Sequence, residues 1–561
     1  MKTSLSHVTQ PLVGASVLAL ILGLAGCTTP NPRPFVLVAK WERFERAFES
    51  ACSYPNPVQN ASLEVAFRSP SGAVHKVAGF WDGGRTWRVR FAPNEVGNWS
   101  YSTACSDAAN PGLHRQSGSL VVTAARGRNR FEQHGPIRVS RDGHYFEHED
   151  GTPFFWLGDT AWNGALLSTP DEWKYYVRER VQQRFSVVQW VATQWRAAPD
   201  GDAMKEAAFT GTERIEINPR FFQRLDGKAE ALNRAGLLNA PVLLWAIGGG
   251  SNPKVNPGFA LPEDQAILLA RYMVARWGAN QVAWILAGDS DYRGPKAERW
   301  RRIGRAVFGD APRAPVLLHP GGMQWYLDDF RGEKWLNVMG YQSGHGDDDR
   351  TLRWIFSGPP STDWKKEPYR PFLNLEPPYE NHLAYQSKQP HPPENVRRAI
   401  YWSLLNAPTA GVSYGGHGIW GWDDGTKPPT DHPGSGTPLP WREALEMPAA
   451  SQMACLASFF NSIEFWRLRP ALGILARQPG NDSTGLYIAA ARSEDGDLVV
   501  IYAPSTRTVS VKASVLPPAA IVTWFNPRNG ERSPAVAVVN DKVIDFATPS
   551  AGDWILLIRA G

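Results

Sequence analysis

The sequence has almost no excess charge of either sign: +5 over 561 residues, with 59 Lys and Arg against 54 Asp and Glu. That balance gives no support for binding nucleic acid. Cysteine is scarce, 4 in all, so disulfides are at most a local feature. The N-terminal apolar stretch, Val13 to Ala25, falls short of a bilayer span. The remaining composition is that of a folded globular protein, 43% hydrophobic and 20% charged, and the length suits about three domains. One residue is abundant, with 24 Trp. Indole rings fill cores, and their flat faces also stack on sugar rings.

The first 26 residues read as a targeting segment. Lys2 supplies a weak positive region, and the apolar stretch ends Leu24-Ala25-Gly26-Cys27, which resembles a bacterial lipoprotein signal. Cleavage before Cys27 and acylation of its thiol would anchor the chain to a membrane of the cell envelope. Residues 27–34, with Thr28 to Pro34 reading TTPNPRP, then form a tether. In an exported protein Cys52 can pair with Cys105, leaving Cys455 as a buried thiol in a helix.

From 35 to 125 the pattern has period two. Leu63, Val65 and Phe67 alternate with polar residues, as do Trp87, Val89 and Phe91, with turn clusters between them. This predicts a β-sandwich. Between 130 and 465 short apolar runs alternate with amphipathic helical segments. The runs are 154–159, 186–191, 240–247, 282–289, 314–319, 336–341, 372–376 and 411–415; helices fall near 171–184, 219–236, 263–278, 296–308, 323–330, 350–357, 393–406 and 441–461. Eight strand–helix units predict a (β/α)8 TIM barrel. From 466 to 561 period two returns, predicting a small C-terminal β-sandwich domain.

Active sites of such barrels lie at the C-terminal ends of the strands. Those ends carry Asp159 with Trp162, then Gln194 and Trp195, then Asp289, His319, Tyr341 and Gln342, Glu376, and finally His417 and Trp420. All are candidates for holding a saccharide. Alternation places Asp289 of strand four and Glu376 of strand seven toward the barrel axis, with Leu286, Leu373 and Leu375 facing the helices. Two carboxylates at one aromatic-ringed mouth suit glycoside hydrolysis. The PFLNLEPPYE stretch, 371–380, is the sharpest case: an apolar strand ends on Glu376, and the following prolines fix the chain as it leaves.

A barrel with its acid/base after strand four and its nucleophile after strand seven is similar to the large clan of retaining glycosidases. More narrowly, GDTAW (158–162), WILAGD (284–289) and EPPYE (376–380) resemble the apiosidase-like barrels of glycoside hydrolase family 140. The resemblance extends along the mature chain, since that family often carries a β-sandwich ahead of the barrel and a collagen-binding-type β domain behind it. It implies Asp289 as acid/base, Glu376 as nucleophile, and apiose-bearing pectin side chains as the type of substrate. The chain departs from the wider clan in having Gly288-Asp289 where most members have Asn-Glu. Aspartate is shorter by one methylene, so the acid must sit nearer the leaving oxygen. Retention calls for carboxyl groups about 5–5.5 Å apart.

Other motifs carry less. GVSYG (411–415) matches a nucleophile elbow but lacks the helix that must follow Ser413. HYFEH (144–148) lacks a third metal ligand. GHGDDDR (344–350) lacks calcium-loop spacing, and IGGGSNP (247–253) is not a phosphate loop. No cofactor is expected. Glu380 and Asp291 are rival carboxylates one step beyond the favoured pair. Alternatives to the leading function are another furanosidase or a β-glycanase, and a non-catalytic carbohydrate-binding surface lipoprotein.

Overall fold

The computed structural model describes residues 36–250 and 252–561; the targeting segment, Cys27 and the tether lie outside them. At the centre, eight parallel strands form one sheet: β1 (Trp156–Thr160), β2 (Val187–Val191), β3 (Leu238–Trp245), β4 (Trp284–Ser290), β5 (Val316–Pro320), β6 (Met339–Gln342), β7 (Phe372–Glu376) and β8 (Gly411–Tyr414). The hydrogen-bonded order is β5-β4-β3-β2-β1-β8-β7-β6. Across the seam the Val338 N–H donates to the Val316 carbonyl at 3.2 Å, so the barrel all but closes between β5 and β6.

The helices lie outside: α1 (Pro170–Gln182), α2 (Pro219–Arg234), α3 (Glu263–Trp277), α4 (Pro295–Phe308), α5 (Leu327–Phe330), α6 (Asp349–Ser357), α7 (Pro393–Leu405) and α8 (Pro448–Phe460). α1 starts where Thr169 and Glu172 form a capping box and Pro170 takes the first helical position. Two expected helices are shorter than their patterns. The 323–330 segment yields one turn, and 441–461 breaks into Trp441–Ala444 and α8, the latter beginning at Pro448, which cannot continue a preceding helix.

Ahead of the barrel a five-stranded sheet faces a three-stranded one. Leu63, Val65 and Phe67 point inward, against Trp87, Val89 and Phe91 of the opposite sheet. Cys52 and Cys105 both stand as free thiols, so the expected pairing is not made; Cys455 is half-buried in α8. The sandwich docks on α2 and α3 through buried ion pairs, Asp82 with Arg276 at 2.9 Å and Arg90 with Asp226 at 2.7 Å, while Arg276 and Asp226 tie the two helices together at 2.7 Å. Behind the barrel, a six-stranded and a three-stranded sheet enclose a second small core. The other face of the six-stranded sheet joins the barrel core, where Tyr502 stacks on Tyr401 of α7 at 4.7 Å and Asp553 pairs with Arg397 at 2.7 Å.

Candidate active site

At the C-terminal mouth of the barrel lies a cleft of about 260 Å³ walled by Trp162, Trp195, Trp245, Trp420 and Tyr385, with Asp289 and Glu376 inside it. Asp289 reaches it by an irregularity at the end of β4. The register with β5 shifts on both sides of Gly288, and Asp289 takes a left-handed φ of 48°. A side chain at 288 would collide with Trp245, 2.5 Å from its Cβ, so glycine there lets the wall indole pass. Alternation expects Asp289 on the axis side, and a bulge with left-handed backbone is what aims it into the cleft. Arg196, from the loop after β2, places Nη2 3.3 Å from Asp289 Oδ2, and Gln342 Nε2 stands 3.4 Å from Oδ1. Arg196 also faces Asp431 at 3.5 Å.

Glu376 is held between two histidines. His345 Nε2 lies 2.9 Å from Oε1 and His319 Nε2 3.1 Å from Oε2. The Tyr379 backbone N–H donates to His345 Nδ1 at 3.3 Å. That nitrogen must therefore accept, and the assigned tautomer has Nε2–H donating to Glu376. His319 is fully buried, and neither ring nitrogen has a well-aligned hydrogen-bond partner. Tyr379, the tyrosine of EPPYE, accepts from Trp162 Nε1 at 3.1 Å.

These surroundings separate the two carboxyl groups. Burial pushes the Asp289 carboxyl up; the Arg196 charge pulls it down, the Glu376 charge pushes it up again, and the net displacement is upward. Burial acts on Glu376 in the same direction, but the two imidazoles beside it, His319 and the hydrogen-bonding His345, outweigh it and hold that carboxyl well below the usual range. One group is thus poised to carry a proton while its neighbour stays ionised. Burial keeps the flanking His417 and His432 low, at about 4, so both are neutral hydrogen-bonding groups at neutral pH.

Of the other expected residues, Trp162, Trp195, Gln342 and Trp420 line the cleft, and His319 touches Glu376. Four do not. Asp159 faces the helix layer, fully buried, taking hydrogen bonds from Arg180 at 2.8 Å and from the Tyr176 hydroxyl. Gln194 ties down its own loop, accepting from the Ala208 N–H and donating to the Phe209 carbonyl. Tyr341 packs outward between Trp325 and Trp354. His417 sits behind the wall, bonded to the Gly436 carbonyl and Trp420. The rival carboxylates are also accounted for. Glu380 accepts from the Ala449 and Ala450 N–H groups at the start of α8 and from the Tyr414 hydroxyl. Asp291 is paired with Arg293 and Lys296 and drawn down to about 2.

The residues missed from sequence are Arg196, Trp245, His345, Tyr379, His382, Tyr385 and His432. His345 belongs to GHGDDDR, a segment whose carboxylates suggest a calcium loop more readily than a partner for Glu376. There Asp348 instead caps α6, accepting from the Thr351 N–H at 3.0 Å. No cluster able to hold a metal ion occurs among the described residues.

Comparison with known proteins agrees with this architecture. Residues 140–467 match the model of the apiosidase-like catalytic domain. Residues 37–106 match a domain of unknown function, DUF5060, and 470–559 a collagen-binding domain described from a collagenase. A candidate glycoside hydrolase from Bacteroides vulgatus superposes with TM-score 0.70 at 19% identity, covering 93% of this chain and 99% of its own. A family 5 glycoside hydrolase from the same species gives TM-score 0.64 at 22%, over 76% and 94%. A further glycoside hydrolase gives 0.65 at 22%, over 76% and 98%. No curated protein matches. Because the catalytic-domain model spans more than half of the chain, the protein belongs to the apiosidase-like family and is a glycoside hydrolase.

Proposed function

We propose that the cleft releases a terminal furanosyl unit from plant cell-wall polysaccharide with retention of configuration, apiofuranosyl groups of pectin being the first substrate to test. The observation that supports the reading most is the opposed displacement of two carboxyl groups in one aromatic-walled cleft. Ionised Glu376 attacks the anomeric carbon while protonated Asp289 gives its proton to the departing glycosidic oxygen. A covalent glycosyl ester on Glu376 results. Asp289, now a carboxylate, takes a proton from water as that water's oxygen attacks the same carbon, and Glu376 leaves as carboxylate. Trp162, Trp195, Trp245 and Trp420 offer faces to the sugar, and Gln342 and the neutral His432 offer hydrogen bonds to its hydroxyls.

The cleft's size supports action at a chain end. About 260 Å³ lies just below the ~300 Å³ at which ordinary small-molecule sites begin, room for one sugar ring and its linking oxygen. Anchoring through Cys27 in the cell envelope is part of the same proposal, and loss of lipid labelling in Cys27→Ala tests it. The decisive experiment incubates the mature protein with fractionated pectin and hemicellulose oligosaccharides, identifies the released sugar, and follows its first-formed anomer by NMR. Inverted product would overturn the mechanism. Binding without any release would favour a non-catalytic carbohydrate-binding role.

A further inference from the structure

A second groove, of about 1040 Å³, opens at the junction of barrel and C-terminal domain. Its residues come from the hairpin before β1, the segment before β7, and the chain after α8, so it lies toward the N-terminal ends of the strands, the opposite end of the barrel from Asp289 and Glu376. The motif HYFEH, which the catalytic site does not use, supplies His144 and Tyr145 to it.

Its walls are aromatic and its rim is charged with both signs. Tyr145 and Trp466 stand 6.5 Å apart at 35°, while Trp364 and Tyr369 flank His144 at 6.0 and 4.8 Å. Tyr369 is 42% exposed. The rim carries Arg141, Lys365 and Arg467 beside Asp142, Glu494 and Asp495. The frame is fixed across the domain boundary, since Arg469 pairs with Asp142 at 3.0 Å. Gly143 takes φ +78°, and a Cβ there would come within 2.8 Å of the Tyr369 carbonyl, so glycine lets the two segments close on each other. His144 is only 8% exposed, and its ring, packed against Trp364 and Tyr369, helps to fix the aromatic lining.

This combination selects among ligand classes. A lipid or apolar peptide calls for a continuous apolar lining, and the charged rim interrupts it. A nucleic acid calls for an excess of cations, and three carboxylates stand among them. A sugar presents a C–H face to an aromatic plane and hydroxyls at its edges to carboxylate and guanidinium groups. We infer that this groove is a second saccharide-binding site, which holds an uncleaved stretch of the polysaccharide whose ends the cleft trims. The ligand class rests on the hydrolase reading of the cleft; the binding itself is measured separately.

The test uses the mature chain with Tyr369→Ala and Trp466→Ala, the first chosen because its exposed ring can be removed without touching the core. Retardation in native gels containing pectin or arabinoxylan reports the groove, and sugar released from short oligosaccharides reports the cleft. The expected result is a five- to tenfold loss of affinity for at least one polymer in both variants, with oligosaccharide turnover unchanged. Glu376→Gln should retain the wild-type retardation while losing turnover. Wild-type retardation in both groove variants would overturn the inference, as would a wild-type chain that turns over oligosaccharides yet is retarded by neither polymer. Retardation lost in the groove variants of a chain that cleaves nothing would support the groove while removing the hydrolase reading.

Discussion

Replacing Glu380 should cost stability and spare chemistry, whereas replacing Glu376 should do the reverse. The two carboxylates are four residues apart in EPPYE, so the contrast tests the nucleophile assignment directly. Glu380 is 3% exposed and accepts hydrogen bonds from the N–H groups of Ala449 at 2.9 Å and Ala450 at 3.3 Å and from the Tyr414 hydroxyl at 2.8 Å. Alanine leaves those three donors buried without acceptors, at about 1–3 kcal/mol each, and removes a negative charge from a helix N-terminus. Desolvation of the carboxylate, which raises its pKa, offsets part of that, so a net loss of about 3–5 kcal/mol is expected for Glu380→Ala. Glutamine keeps an acceptor and should lose about 1–2 kcal/mol. At roughly 2 °C per kcal/mol the alanine variant melts about 6–10 °C lower. Turnover per folded molecule, measured well below that temperature, stays close to wild type. Glu376→Gln should melt within about 2 °C of wild type and lose on the order of 10⁴–10⁶-fold in kcat, the scale seen when a covalent nucleophile is removed. If Glu380→Gln instead abolished turnover at unchanged Tm while Glu376→Gln stayed active, the roles argued here would have to be exchanged.

Activity needs Glu376 ionised and Asp289 protonated, so kcat/KM against pH should be bell-shaped, and each limb can be moved by a named neighbour. Arg196 pulls the Asp289 carboxyl down, so Arg196→Gln should move the alkaline limb up; a downward move would contradict the pairing. His345 holds Glu376 down, and its replacement by alanine should raise the acid limb. His345→Gln should restore part of the loss, because its amide can donate to the same oxygen. The Arg397–Asp553 pair is almost wholly buried between α7 and the C-terminal domain. Asp553→Ala leaves the guanidinium uncompensated and should cost about 3–5 kcal/mol, seen as earlier release of residues after 466 in limited proteolysis.

Much of the barrel was legible because each of its parallel strands is buried on both faces and therefore appears as an unbroken apolar run. A carboxylate closing such a run, as at Asp289 and Glu376, is visible as an expense without a local partner. The same signal misled at Asp159, which also closes an apolar run but turns outward to Arg180. The corrective lay in α1: Trp173, Tyr176, Val177 and Arg180 fall on one helical stripe and are all buried. A charge on an apolar stripe demands a buried partner, and Asp159 at the end of the neighbouring strand was available. Tyr341 and Gln342 pose the same choice of side, and only Gln342 faces the mouth.

What stayed hidden comes from the loops beyond the strand ends. Arg196, His345, His382, Tyr385 and His432 sit where no periodicity constrains direction, so sequence shows their presence but not their convergence. Yet they, more than the carboxylates, determine what the site can do. Two carboxyl groups buried in one cleft would both be raised by desolvation, and mutual repulsion would leave at most one ionised. His345 and His319 decide that it is Glu376 which keeps the charge. That charge in turn pushes the Asp289 carboxyl up against the pull of Arg196. The asymmetry between attacking group and proton donor is therefore written into the β5 end and the loop after β6, neither of which supplies a carboxylate. Exchanging those histidines for apolar residues should leave both carboxyl groups in place and remove the division of labour between them. In such a double variant, His319→Leu with His345→Leu, the acid limb should move upward, since burial would then act on Glu376 unopposed. Retention of the wild-type pH profile would show that the carboxyl groups are distinguished by something other than these two rings.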